Sequence, residues 1–299
     1  MIATLTLNPA IDRAVTIPDF TAGAVNRVVQ SSDRAGGKGI NVAAALAGHG
    51  HAVAALGFLG RDNADVFTVF FAARGIEDRC LRLPGVTRTG IKIFDPLRRG
   101  TTDINFPGLS PTAADLDALR GQLAALRGGW CVLAGSLPPG VPAGIYREFV
   151  STLKTNGVRT VLDASGESLR EVLKASPDVI KPNVFELEAL LGKTLCSEAD
   201  VVAAGRELVA GGVKLVVVSR GAEGACFVTA EEGFVARPPS VGAGSTVGAG
   251  DAMVAGIVSA QIRGLPLDEA ARLATAFSLA ALTGKSVNDF VGRVLISAA

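Results

Sequence analysis

Short runs rich in Val, Ile, Leu and Ala alternate with amphipathic or alanine-rich stretches along most of the chain. That alternation admits few architectures, and the one it fits is an α/β fold around a central sheet. The clearest strand expectations are 2–7, 52–58, 130–134, 160–163, 179–181 and 215–219. Helices are expected at 39–47, 64–74, 113–126, 143–155, 185–191, 197–210, 252–261 and 267–283. Two regions break the rhythm. Residues 13–33 and 87–106 carry short alternating segments, such as Gly90-Ile91-Lys92-Ile93-Phe94, with no helix between them, and are expected to join as a small separate β-layer. With no internal repeat and no low-complexity linker, residues 1–299 are read as one domain.

Composition matters here for what it excludes. With 48% hydrophobic and 19% charged residues, the chain is neither disordered nor fibrous. A formal charge of +1 recruits neither nucleic acid nor an anionic membrane, so an anionic ligand has to be held by local geometry. The cysteines at 80, 131, 196 and 226 form no CxxC pair, and no basic segment precedes an apolar one at the start, which together point to a reducing cytoplasm. Residues 39–60 are uncharged and about long enough to span a bilayer, but Gly48-His49-Gly50-His51 reads as a turn dividing a helix from a strand.

Several familiar signatures fail on inspection. Gly284-Lys285-Ser286 resembles the end of a phosphate-binding P-loop, yet Leu279 stands where the first glycine is required. Gly248-Ala249-Gly250 lacks the third glycine of a dinucleotide fingerprint, since Met253 occupies that position, and no strand precedes it. Ser136 is not in a nucleophile elbow, and both histidines share one turn, so histidine-based hydrolysis has no support.

Three glycine or polar clusters carry chemistry. The run from Gly242 to Asp251 leads into an apolar helix, so backbone N–H groups and the helix dipole converge where Asp251 stands. A carboxylate there can take a proton from an attacking hydroxyl while the amides stabilise a migrating phosphoryl group; equally, Asp251 can simply charge a helix start. Gly36-Gly37-Lys38-Gly39-Ile40-Asn41 is a second glycine turn entering a helix, with Lys38 and Asn41 near its start, or else a tight turn with a solvated lysine. In Lys181-Pro182-Asn183-Val184-Phe185-Glu186, Asn183 and Glu186 share one face of a starting helix, where oxygen ligands suit Mg²⁺ or its waters and where an ordinary capping pair is equally at home.

Together these residues resemble the ribokinase-like (PfkB-type) carbohydrate kinases over roughly residues 1–283, and within them the sugar-phosphate branch. The segments behind the resemblance are Thr6 to Asp12, Gly37 to Ala43, Gly57 to Gly60, Gly135 to Gly140 and Ser245 to Asp251; residues 285–299 show little of it. The resemblance implies a three-layer α/β/α domain with a small β-sheet lid at about 13–33 and 87–106. It implies Asp251 as catalytic base, with Gly248, Ala249 and Gly250 as its anion hole. Asp12, Gly36, Gly37, Lys38, Gly39, Asn41, Arg88 and Ser136 match positions that hold the sugar phosphate, and Lys181, Asn183, Ser219, Gly221 and Gly224 match the ATP side. Asn183 and Glu186 match the motif governing Mg²⁺, through water, and the lid implies a homodimer. The implied reaction is ATP-dependent phosphorylation of D-fructose 1-phosphate to fructose 1,6-bisphosphate. Fructose 6-phosphate and tagatose 6-phosphate stay as alternatives, because a furanose phosphate seen from either end offers an anchored phosphate and a distant primary hydroxyl. A catalytically silent sugar-phosphate sensor is the non-enzyme alternative.

Overall fold

The computed structural model describes residues 1–98, 100–241 and 248–299. Residues 242–247 of the glycine-rich run ahead of Asp251 lie outside the described residues, as does Arg99. An eleven-stranded sheet forms the centre. Its parallel part runs in the order Glu77–Asp78, Val53–Gly60, Ile2–Thr6, Trp130–Ala134, Arg159–Asp163, Val179–Ile180, Leu215–Ser219. Leu81–Leu83 pairs with the end of Val53–Gly60, and Ala225–Val228, Gly233–Arg237 and Leu295–Ala298 add an antiparallel edge. The inner strands are near-continuous apolar runs because both of their faces are covered: every residue of Ile2–Thr6, Val53–Gly60 and Trp130–Ala134 is buried.

Successive side chains of each strand enter opposite cores. On one face Val132 and Ile2 pack with residues of the helices Lys38–Ala47, Ala249–Ile262 and Leu267–Thr283. On the other, Leu133 and Leu5 pack with Ala113–Ala124, Ile145–Thr155, Gly166–Leu173, Val184–Leu191 and Glu198–Ala210. The result is three layers, α/β/α. A second, four-stranded sheet pairs Gln30–Gly36, Ala10–Thr16, Thr89–Asp95 and Gly100–Asn105 in that order, so the two regions without helices join each other.

Most element boundaries differ from the sequence expectation by one to three residues, and one difference matters. The helix expected from 252 begins at Ala249, with Gly248 at its N-cap position, so Asp251 stands inside the first turn and not ahead of it. Gly166–Leu173, the two short strands at 77–78 and 81–83, the antiparallel edge and Asn288–Val291 were not expected from the sequence. They are two to eight residues long, too short for either periodicity to register. Gly284, which mimics a P-loop glycine, ends the helix Leu267–Thr283 in a left-handed conformation, its N–H bonded to the Ala280 carbonyl at 2.8 Å.

Strand order also points to the site. Ile2–Thr6 is followed in the chain by its neighbour on one side, Val53–Gly60, and flanked on the other by Trp130–Ala134, so the winding reverses beside it. In open α/β sheets, ligands bind at the carboxyl ends of the strands at such a switch point.

Candidate active site

Two helices aim their N-termini at the carboxyl edge of the sheet. Lys38–Ala47 starts after Gly37, whose φ of 119° suits glycine and whose absent side chain matters as well: a Cβ there would lie 2.9 Å from Thr6 Cγ2. Ala249–Ile262 starts after Gly248, with φ 83°. The two starts meet through a hydrogen bond from Asn41 Nδ2 to Asp251 Oδ2 at 2.8 Å. Asp251 is 8% exposed and caps nothing in its own helix among the described residues; its side chain turns to the neighbouring helix instead. Burial, and then the nearby charge of Asp163, push its pKa up to about 6, against the Asn41 hydrogen bond and the charges of Lys38 and Lys181.

Asp163 was not singled out from the sequence. It ends the strand Arg159–Asp163, is 1% exposed, and binds two cations with one oxygen: Lys38 Nζ at 3.0 Å and Lys181 Nζ at 3.4 Å from Oδ1. Its Oδ2 is buried with no hydrogen-bond partner among the described residues. Burial works against the charge on Lys38, but Asp163, with Asp251 and Glu186 behind it, keeps that ammonium above its ordinary range. Lys181, read from the sequence as a nucleotide contact, sits in this buried cluster, with its Nζ 3.5 Å from where a Cβ on Gly250 would be.

On one side of Asp251 lies a cavity of about 1000 Å³ lined by Asn183, Ser219, Gly221 and Gly224 together with Ala249 and Gly250 of the helix start. Its far wall is the helix Leu267–Thr283, through Thr275, Ser278 and Leu279; the sequence reading gave none of them a part in a site and named Leu279 only in rejecting a P-loop. Thr275 Oγ1 is buried there without a partner among the described residues. Arg220, at the mouth, is held between Glu198 and Glu223, so its charge is spent within the protein. Asn183 and Glu186 form the reciprocal cap that the sequence also allowed: Glu186 N–H donates to Asn183 Oδ1 at 2.8 Å, and Asn183 N–H donates to Glu186 Oε2 at 2.9 Å. That leaves Glu186 Oε1 free of the cap.

On the other side stand Asp12, Gly36, Arg88 and Ser136. Gly36 makes room for Asp12, since a Cβ on it would lie 2.4 Å from Asp12 Oδ2. Gly39 likewise lets the helix start sit on the end of the first strand, where a Cβ would meet Thr6 Oγ1 at 2.5 Å. Burial raises the pKa of Asp12 in spite of Lys92, Arg34 and Arg88. Arg88 is half-buried; it donates to the carbonyls of Phe106 and Asn8 at 3.3 Å each, while its Nε has no partner among the described residues. Burial lowers its pKa, an effect that Asp12 opposes. Asn8, part of the Thr6 to Asp12 segment but given no role of its own in the sequence reading, donates to Ser136 Oγ at 3.1 Å. The order in space is therefore the polar groups around Asp12 and Arg88, then Asp251 with its lysines, then the cavity. No group of three or more acidic, His or Cys side chains able to hold a metal ion occurs among the described residues.

The model described as pfkB family carbohydrate kinase matches residues 5–291. The 1-phosphofructokinase of Rhodobacter capsulatus is 53% identical over 284 residues, 94% of this chain and 90% of the relative. That of Xanthomonas campestris pv. campestris is 45% identical over 99% of this chain and 98% of its own. Among solved structures, phosphofructokinase-2 from Escherichia coli in complex with fructose-6-phosphate superposes with a TM-score of 0.92 at 29% identity, covering 97% of this chain and 98% of the other.

Proposed function

This chain belongs to the pfkB family of carbohydrate kinases, and from that premise we propose that it phosphorylates D-fructose 1-phosphate with ATP, giving fructose 1,6-bisphosphate and ADP. The observation that carries the proposal is the position of Asp251, a buried carboxylate at a helix start between a polar pocket and a 1000 Å³ cavity. The relatives at 53% and 45% identity, both 1-phosphofructokinases, supply the substrate.

The free primary hydroxyl of the sugar attacks the γ-phosphorus of ATP. A new O–P bond forms, the bond from the γ-phosphorus to the bridging oxygen breaks, ADP leaves, and the hydroxyl proton passes to Asp251. With a pKa of about 6, Asp251 is mostly ionised at neutral pH yet basic enough to accept that proton. The backbone N–H groups of Gly248, Ala249 and Gly250, at the positive end of their helix, face the transferring phosphoryl group. Lys38 and Lys181 are held ready by Asp163. Arg88, partly desolvated, together with Ser136, anchors the sugar phosphate, while Asp12 and Asn41 take sugar hydroxyls.

Asn183, Ser219, Gly221 and Gly224 receive the nucleotide in the cavity that they line. The donor set fits Mg²⁺ bound mainly by phosphates and waters: one carboxylate oxygen, Glu186 Oε1, is left free by the cap, and no protein cage is present among the described residues. Glu186 would hold it through water, with Asn183 fixing the turn, and the ion supplies charge neutralisation to the phosphates. The four-stranded sheet acts as a lid over the sugar and pairs with a second copy. The four free cysteines suit the cytoplasm, and no helix among the described residues is long and apolar enough to cross a membrane.

A coupled ADP assay over a sugar panel tests the reading. Fructose 1-phosphate should give the highest kcat/KM, with unphosphorylated fructose far behind, because losing the anchored phosphate removes binding energy used for positioning. A preference for fructose 6-phosphate, the ligand printed for the Escherichia coli neighbour, would keep the kinase and discard the 1-phosphate assignment.

A further inference from the structure

The face of the four-stranded sheet opposite Val15, Ile91 and Ile93 is polar, and around Asp12, already given a sugar hydroxyl, it holds groups that the reaction above leaves unused. Directly opposed residues form a row across all four strands: Arg34, Asp12, Gly90 and Asn105. The next row on that face is Ser32, Ala14, Lys92 and Asp103. In the first row, glycine stands between a carboxylate and an amide. A Cβ at Gly90 would lie 3.3 Å from Asp12 Oδ1 and 3.5 Å from Asn105 Oδ1, so the missing side chain leaves a notch into which both oxygens point. Asn105 is exposed, and among the described residues neither its amide nor the Asp12 carboxylate makes a hydrogen bond. Lys92 Nζ stands 4.0 Å from Asp12 Oδ1 and 3.7 Å from Asp103 Oδ1, near both carboxylates without a short contact to either. A cluster satisfied by its own members would close these gaps. This one keeps its acceptors and an amide free around a single point.

We infer that Asn105 is a specificity-determining residue for the sugar: one secondary hydroxyl of the furanose seats in the notch over Gly90, shared between Asp12 and Asn105. The inference rests on the sugar-phosphate kinase reading and deepens it. A secondary hydroxyl that both donates and accepts suits this pair, because the carboxylate accepts while the amide, with either orientation of its O and N, accepts or donates. The notch is continuous with the chemistry. Asp12 lies against Gly36, and the chain runs from there through Gly37 and Lys38 to Asn41, which bonds Asp251. A hydroxyl held from two sides reports its configuration, since the epimer leaves both polar groups unpaired.

The test is steady-state kinetics of wild type, Asn105→Ala and Gly90→Ala with fructose 1-phosphate and tagatose 1-phosphate, its C4 epimer. Asn105→Ala should raise the KM for fructose 1-phosphate about tenfold, leave the KM for ATP unchanged, and shrink the wild-type preference between the epimers. Gly90→Ala, which fills the notch, should raise the same KM without touching that for ATP. An Asn105→Ala enzyme whose sugar KM and epimer preference both stay within twofold of wild type overturns the inference alone. Wild type that fails to turn over fructose 1-phosphate overturns the parent reading, and the inference with it.

Discussion

Asp251 holds a charge that its surroundings disfavour. Its folded pKa of about 6 lies above the ordinary aspartate value because the group is buried beside another carboxylate. In the unfolded chain it ionises near pH 4, so between about pH 4 and pH 6 the folded protein binds more protons and loses stability as pH rises. Asp251→Asn removes that penalty and keeps the contact with Asn41. The expected result is a fall of about 10² to 10⁴ in kcat together with a gain of roughly 2–3 kcal/mol in unfolding free energy at pH 7. Denaturant melts and turnover on the same preparation check both signs, and wild-type kcat in the variant would remove Asp251 from catalysis. Asp163 acts on the same equilibrium from the other side. Asp163→Asn deletes the neighbouring negative charge and frees Lys38 and Lys181, and both changes favour the ionised form of Asp251, so the acid limb of kcat/KM should move to lower pH. A limb that stays in place would show that Asp163 does not tune the base. The two aspartates differ in how legible they are. Asp251 follows glycines that advertise an anion site, whereas Asp163 is followed by Ala164-Ser165 with no motif spacing around it. Its role depends on strand order, which puts the end of Arg159–Asp163 beside the starts of two helices remote in sequence.

The helices Ala249–Ile262 and Leu267–Thr283 pack closely enough that Gly256 has no room for a side chain. A Cβ there would lie 2.6 Å from Ala274 Cα and 3.1 Å from Phe277 Cβ. Alanine is worth about 1 kcal/mol over glycine in a helix, while overpacking costs about 1–3 kcal/mol, and here the obstructing atom is backbone. Gly256→Ala should therefore destabilise the fold. Because Leu267–Thr283 also forms the far wall of the cavity proposed for the nucleotide, through Thr275, Ser278 and Leu279, the displaced helix should raise the KM for ATP more than that for the sugar. Thermal unfolding with paired KM measurements checks this, and a raised Tm would show that the helices can part at little cost. The long helices and buried parallel strands were legible because their periodicity persists over many residues. The antiparallel edge was not. Ala225–Val228 and Leu295–Ala298 are four residues each, and their strand character comes from pairing across the sheet and not from local pattern. The cavity wall went unread for a related reason: Thr275 and Ser278 look like ordinary members of an alanine-rich helix until the second helix and Gly224 face them.

At the scale of the molecule, the two sheets pose different problems. The large one is covered on both faces by helices, whereas the small one carries an apolar face with Val15, Ile17 and Ile93 buried, Phe20 and Ile91 half-buried, and Ile104 exposed. Val25, Val28 and Val29, in the connection between its first two strands in chain order, are exposed as well. Among the described residues its outer strands, Gln30–Gly36 and Gly100–Asn105, are each paired on one side only. A small sheet gains stability only when its apolar face is covered, and exposed edges invite a further strand. A second copy of the same sheet offers both, in a closed twofold arrangement that leaves no unpaired patch. Wild type at micromolar concentration should therefore sediment at about twice 30.4 kDa. Ile104→Lys places a charge on that face at a site already 44% exposed, so the subunit should fold normally and sediment as a monomer. A wild-type monomer, or a dimeric Ile104→Lys, would put the contact elsewhere or nowhere. Neighbouring residues on a strand point to opposite faces. Ile104→Lys should therefore change assembly before it changes the chemistry, and Asn105→Ala should change sugar recognition while the dimer stays intact.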